Sequence, residues 1–160
     1  MTHRNAFPRK CWAVVVALVA SHAALAGDDR RAPGVAPLPK YKQECAACHV
    51  AFPPGMLPAD SWRRLLGNLP HHYGTDASLD TATANELAAW LAANAGTYKR
   101  VREAPPEDRI TRSAWFIRKH DEVPSAVWKR PAVKSAANCA VCHTQADQGD
   151  FNEHTVRIPR

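Results

Sequence analysis

The sequence predicts an all-α chain built as two small helical units, and three observations carry that prediction. Apolar residues recur at helical spacing around Trp62, Leu87 and Phe116. No series of strand-like segments at regular spacing interrupts them, which argues against a sandwich or barrel. One Cys-x-x-Cys-His block stands at Cys45–His49 and a second at Cys139–His143, so each half of the chain carries its own copy beside its own short helices.

The chain has 160 residues, of which the first 26 read as a leader. Arg4, Arg9 and Lys10 form a basic start, Cys11 to Ala20 an apolar core, and Ala24-Leu25-Ala26 a small-x-small cleavage site. That is the layout of a secretory signal peptide, with an apolar core too short for a bilayer span. Cleavage after Ala26 leaves 134 residues in the periplasm and takes Cys11, His3 and His22 away. The leader holds three basic residues and no acidic ones, so the net charge falls from +6 to +3. So small and evenly spread an excess gives no footprint for nucleic acid. No other 18-residue apolar run is present, so no stable membrane span is expected after cleavage.

Residues 27–40 are rich in proline and charge and read as an extended arm. Tyr41 to Val50 is the first predicted motif-bearing helix. In an exported chain cysteines ordinarily form disulfides, but here all four remaining ones belong to Cys45-Ala46-Ala47-Cys48-His49 and Cys139-Ala140-Val141-Cys142-His143. Cys-x-x-Cys-His is the attachment signature of a c-type haem. Two thiols one helical turn apart add across the two porphyrin vinyl groups, and the following His49 or His143 becomes a ligand to the iron. A four-cysteine zinc site would also use two such pairs, but ordinarily 15–20 residues apart; here 90 residues intervene. A thiol–disulfide exchanger would set one pair near a βαβ pattern, and none is present. The expected cofactors are therefore two covalently held haems. At 67 residues per haem, each unit is small enough to need such a staple.

Phe52 to Pro58 is a breaker-rich loop. Trp62, Leu65, Leu66 and Leu69 then fall at i, i+3, i+4 and i+7, with Asp60 or Ser61 as cap and Pro70 as stop. A further helix carries Leu87, Trp90 and Leu91, with caps at Asp80 or Thr83 and Gly96 as its end. The charged stretch Lys99–Arg112, with Pro105-Pro106 inside it, marks the boundary between a unit at 27–98 and one at 99–160. Ser113 caps a short helix through Trp115, Phe116 and His120, stopped before Pro124, and Ala126-Val127-Trp128 makes another apolar turn. Ser135 opens the second predicted motif-bearing helix, which runs to about Thr144.

What fills the sixth position of each iron decides the chemistry. A second side chain there makes an electron carrier, whereas an open position binds or activates a small molecule. The candidates are Met56, His71, His72, His120 and His154. Met56 lies seven residues after His49 with prolines between, a tight path around a macrocycle edge, and reads better as a loop or core filler. His72 follows Leu69 by three and His120 follows Phe116 by four, each on an apolar face. His71 points outward if His72 points in, and His154 lies in a polar tail. A lone histidine is more often a surface or satisfied core residue than a ligand, but two irons draw on this small pool.

The segments Cys45–Gly55, Leu57–Trp62, His72-Tyr73-Gly74, Phe116–His120, and Asn138–His143 continuing to Gly149-Asp150-Phe151 run in order across the chain. In them the sequence resembles the small dihaem cytochromes c. The resemblance implies a cytochrome c class-I-like N-terminal domain, a less regular C-terminal one, and bis-histidine ligation at both haems, with His72 and His120 as distal ligands. Proximity along the chain assigns His72 to the haem of Cys45 and Cys48, and His120 to that of Cys139 and Cys142. The resemblance also implies a redox partner protein, a small oxygen-binding c-type haem protein or a membrane cytochrome. Two low-potential, six-coordinate haems make the chain an electron carrier rather than an enzyme. The alternative is a haem enzyme or small-molecule sensor with a displaceable distal ligand, and a non-haem redox or metal module stands behind both. If the bis-histidine reading holds, His72 and His120 should face His49 or His143 across a flat gap, with opposed nitrogens about 4 Å apart if iron bonds like zinc.

Overall fold

Pro39 opens the first helix of the computed structural model, which describes residues 35–160; the leader and the start of the arm lie outside the described residues. Helix α1 (Pro39–Cys45) begins with the residue whose missing N–H matters least there. It is shorter than the predicted Tyr41–Val50 helix, because residues 46–49 leave it as turns. The physical reason lies just downstream: the Phe52-Pro53-Pro54 run forces extended backbone on the residues before each proline.

The loop after the first motif is pinned from three directions. Buried Tyr41 donates to the Phe52 carbonyl at 2.9 Å. The Trp62 indole donates to the Pro54 carbonyl at 2.7 Å, and the Tyr98 hydroxyl to the Gly55 carbonyl at 2.8 Å. The second and third anchors lie in a 3-10 turn at Pro54–Met56, where Met56 is half-buried.

Helix α2 (Ala59–Leu66) starts one residue before its expected Asp60 cap, directly after Pro58 and with no side-chain cap. Ser61 is instead fully buried inside the helix. Asp60 lies in the first turn and Arg63 and Arg64 in the last, each at the end its charge favours. The helix closes at Gly67, so Leu69 falls outside it, in a 3-10 turn at Leu69–His71. Helix α3 (Thr81–Ala93) has Asp80 as its cap, accepting from the Thr83 N–H at 2.9 Å. It ends at Asn94, whose side chain donates to the Trp90 carbonyl at 2.8 Å. Gly96 is therefore not the helix end. It is a close-approach residue: its N–H reaches the Leu57 carbonyl at 2.9 Å, and a Cβ would stand 2.5 Å from the Gly55 oxygen and 2.6 Å from Val101. Helices α2 and α3 pack on each other around Tyr41, Leu57, Trp62, Leu87 and Leu91.

The charged stretch 99–112 is anchored along its length. Val101 and Pro105 are buried, and Asp108, in the 3-10 turn Pro106–Asp108, takes both Nε (2.8 Å) and Nη2 (2.6 Å) of Arg64. Ser113 caps α4 (Ala114–Lys119), accepting from the Phe116 N–H at 3.2 Å, and α5 (Ser125–Trp128) follows Pro124. Val127 within α5, and Val133 and Ala146 beyond it, are buried.

The second predicted motif helix, Ser135 to about Thr144, shrinks to one 3-10 turn at Cys139–Val141. Lys134 turns left-handed (φ 63°) just ahead of it, Ser135 spends its hydroxyl on Ala137 N–H, and Asn138 bonds back to the Val133 carbonyl. These local bonds compete with a helix too short to nucleate by itself. The C-terminal segment clasps the motif instead: Arg157 N–H reaches the Cys142 carbonyl at 2.8 Å, and His143 bridges Val156. That bridge and one at His72–Thr75 are the isolated β-bridges among the described residues, where no helix is long and apolar enough to cross a membrane.

Candidate haem centres

Cys45 ends α1, Cys48 lies in the turn after it, and the next residue, His49, is half-buried. Its Nδ1 is 2.7 Å from the Val50 carbonyl. A carbonyl only accepts, so Nδ1 carries the proton and Nε2 keeps its lone pair. Its ring lies 4.9 Å from that of Phe52, with planes 22° apart. Opposite stands His72, its ring centre 6.2 Å from that of His49 and its plane 24° away.

His72 reaches that position from a turn, not from α2. Gly67 ends the helix, the Leu69–His71 turn redirects the chain, and Thr75 N–H bonds the His72 carbonyl at 3.0 Å. Tyr73 and Gly74 complete the reversal at φ 52° and 93°. The turn is latched from outside: Tyr73 OH donates to the Glu107 carbonyl at 2.9 Å, and the Arg109 guanidinium lies 4.0 Å over the Tyr73 ring. His71 is exposed, with its Nδ1 3.1 Å from the Asn68 side-chain oxygen.

The second centre is assembled from α4 and the C-terminal motif. His120 is the residue at which α4 ends. Its Nδ1 donates to the Phe116 carbonyl at 2.8 Å, its ring lies on that of Phe116 at 4.0 Å, and Trp128 stands 5.9 Å away. Cys139 and Cys142 bracket the 3-10 turn, and the ring of His143 faces His120 at 6.0 Å with planes 74° apart. Phe151 backs His143 at 5.5 Å. His154 is exposed in the 3-10 turn Glu153–Thr155.

The electrostatics suit metal ligation. Burial, then the facing His49, holds the His72 imidazole below its ordinary range; burial, then the facing His120, does the same to His143. Both are neutral near pH 7, as binding iron requires. Burial pushes the Cys45 and Cys139 thiols up to about 11, so neither is a reactive thiolate. No cluster of three or more His, Cys, Asp or Glu capable of holding a metal occurs among the described residues, and the two cysteine pairs do not converge on one zinc site.

The fit to a haem rests on the two ring spacings. A metal–imidazole bond of ~2.0 Å and a ring whose centre is about 1.15 Å from each atom put the centres of two opposed axial imidazoles about 6.3 Å apart. The observed 6.2 and 6.0 Å match that. Sequence reasoning missed the Tyr73 latch and the aromatic backing of Phe52, Trp128 and Phe151. The aromatics are visible as neighbours of the motifs, but the latch joins residues 34 apart and leaves no local signal.

The sequence matches the family model described as dihaem cytochrome c over residues 41–151. The structure is similar to the diheme cytochrome type c of Shewanella baltica OS155, with 39% identity and a TM-score of 0.67 over 76% of this chain and 92% of that one. It is also similar to DHC purified from Rhodobacter sphaeroides, at 42% identity and a TM-score of 0.63 over 73% and 99% of the respective chains. A further structure, of diheme cytochrome c from the same organism, gives 40%, 0.65, 73% and 98%. No curated protein matches the sequence.

Proposed function

We propose that this chain, which belongs to the dihaem cytochrome c family, is a periplasmic electron carrier in which two histidines close off each of its two haem irons. Binding haem and transferring electrons are what the family does. The bis-histidine ligation, the compartment and the partner are the reading offered here. Each haem, when bound, supplies a one-electron ferric/ferrous couple.

Cys45 and Cys48 hold one porphyrin through thioethers, and Cys139 and Cys142 hold the other. His49 and His72 take the two faces of the first; His143 and His120 take those of the second. The single observation that carries this reading is the 6.2 and 6.0 Å spacing of the facing imidazoles. The Val50 and Phe116 carbonyls fix the tautomers of His49 and His120. A hydrogen-bonded Nδ1 makes the ring more basic and so favours ferric iron, holding potentials low.

The leader at 1–26 exports the chain, and 27–98 and 99–160 serve as the two haem-bearing units. The partner is a redox protein, either a small oxygen-binding c-type haem protein or a membrane cytochrome. The propionates of two haems offset the mature charge of +3, so docking does not depend on strong long-range steering. The test is the exported protein itself. Its mass should exceed that of residues 27–160 by two haems, and its visible spectrum should be low-spin at both irons, oxidised and reduced. A high-spin band at either iron overturns the bis-histidine reading.

A further inference from the structure

The four facing histidines are held unequally. His120 has the Phe116 carbonyl on its Nδ1 at 2.8 Å and the Phe116 ring against it at 4.0 Å. His49 follows Cys48, which is itself bonded to porphyrin, and has the Val50 carbonyl at 2.7 Å. The Nδ1 of His143 has no partner, but its backbone is fixed at both ends, by Cys142 before it and by the bridge to Val156. His72 has no carbonyl on its ring and no porphyrin-bonded neighbour; its backbone is held only within its own turn, by Leu69 and by the bridge to Thr75. Its Nδ1 is buried without a partner, it belongs to no helix, and its turn runs through Tyr73 at φ 52°, a conformation that non-glycine residues rarely adopt. Glu107 and Asp108, across the latch, are left-handed as well at 57° and 54°. Beside His72 opens a cleft of about 500 Å³, bordered by Leu65, Asn68 and Tyr73, which gives the ring room to move aside.

We propose that His72 is a displaceable ligand, so that the haem of Cys45 and Cys48 is a binding site for a small neutral π-acceptor such as carbon monoxide, while the haem of Cys139 and Cys142 stays closed by His120. This rests on the bis-histidine reading above. The exchange is a substitution: His72 leaves with the electron pair of its bond to ferrous iron, and the carbon of the incoming molecule donates its pair in return. No electron changes hands. Tyr73 is a positioning residue, because its bond to the Glu107 carbonyl holds the turn that presents His72.

The probe is carbon monoxide added to the reduced holoprotein. The wild-type protein should bind one molecule per two haems. Its binding rate should level off at high concentration, since His72 must leave first. Tyr73→Phe should raise that plateau roughly two- to tenfold, the effect of losing one ordinary hydrogen bond. His72→Ala should still bind one, without the plateau, and His120→Ala should bind two. No binding, two bound per wild-type protein, or two bound by His72→Ala with one by His120→Ala overturns the proposal. Should either alanine variant fail to load haem, Tyr73→Phe decides it, and an unchanged plateau refutes the latch. The spectrum before the gas is added separates the two readings. High-spin iron at that stage refutes the bis-histidine reading itself, whereas low-spin iron that takes no carbon monoxide refutes only this inference.

Discussion

Replacing Trp62 by Phe tests how the loop behind His49 is held. The Trp62 ring is 5% exposed and its indole donates to the carbonyl of buried Pro54 at 2.7 Å. Phenylalanine keeps the apolar contact but brings no donor, and water has no route to the carbonyl. The carbonyl keeps only the longer bond from the Leu57 N–H at 3.4 Å, and losing the shorter one costs about 0.5–1.5 kcal/mol. The smaller ring also gives up on the order of 40 Å² of buried apolar area, about 1 kcal/mol. Trp62→Phe should therefore lower stability by about 1.5–2.5 kcal/mol, a fall in Tm of roughly 5–10 °C for a domain of this size. Tyr98→Phe removes a bond of the same kind to the next carbonyl in the loop, at 2.8 Å, but Tyr98 is 37% exposed and water replaces the lost donor. Its effect should stay below about 1 kcal/mol. Both variants are read in the haem-loaded protein by guanidinium titration, following the Soret band and far-ultraviolet circular dichroism at constant m-value. Equal losses for the two would refute the argument that burial, rather than the bond itself, sets the penalty.

Gly96→Ala should destabilise the protein by about 1–3 kcal/mol, because the new methyl would meet the Gly55 backbone oxygen and Val101; a denaturation midpoint equal to the wild type's would show that the contact yields freely. Asp108 is held below the usual carboxylate range, first by its bond from Arg64. A depressed folded-state pKa contributes stability above the unfolded value and loses it as pH falls through the folded one. Asp108→Asn should thus be less stable than wild type at pH 7, and the two stability curves should converge by about pH 2; parallel curves would show that the pair contributes nothing. His120→Met should raise the potential of one haem and leave the other, and an unchanged redox titration would remove His120 from the ligand set.

Much of the helical frame is legible in the sequence. Trp62, Leu65 and Leu66 mark α2, Leu87 and Leu91 mark α3, and Asp80 and Ser113 are caps by residue type and position. The motif segments read less well. A Cys-x-x-Cys-His block needs only one turn to set its thiols, and nothing in Ala46-Ala47 or Ala140-Val141 requires that turn to be extended. The structure extends it in neither case, ending α1 at Cys45 and making a single 3-10 turn at Cys139–Val141. The place of His72 was misread in its route. Counting from Leu69 extends the face of α2, but Gly67 has already ended the helix, and the reversal depends on a left-handed Tyr73 that no residue preference announces. Three carbonyls of residues 52–55 accept from Tyr41, Trp62 and Tyr98. Such bonds depend on loops meeting in space, and periodicity carries no trace of them.

The two centres share one plan with its parts exchanged. In each, one imidazole has its Nδ1 bonded to a backbone carbonyl close in sequence and the other has its Nδ1 buried without a partner. At the first centre the bonded ring is that of the motif, His49, held by the next residue. At the second it is the distant one, His120, held from one helical turn back. Packing sets the partner rings differently, with planes 24° apart at the first centre and 74° at the second. Bond lengths alone demand the common spacing near 6 Å, but nothing in them demands a common angle. Were the four rings to ligate as proposed, the two irons would sit in fields of different symmetry.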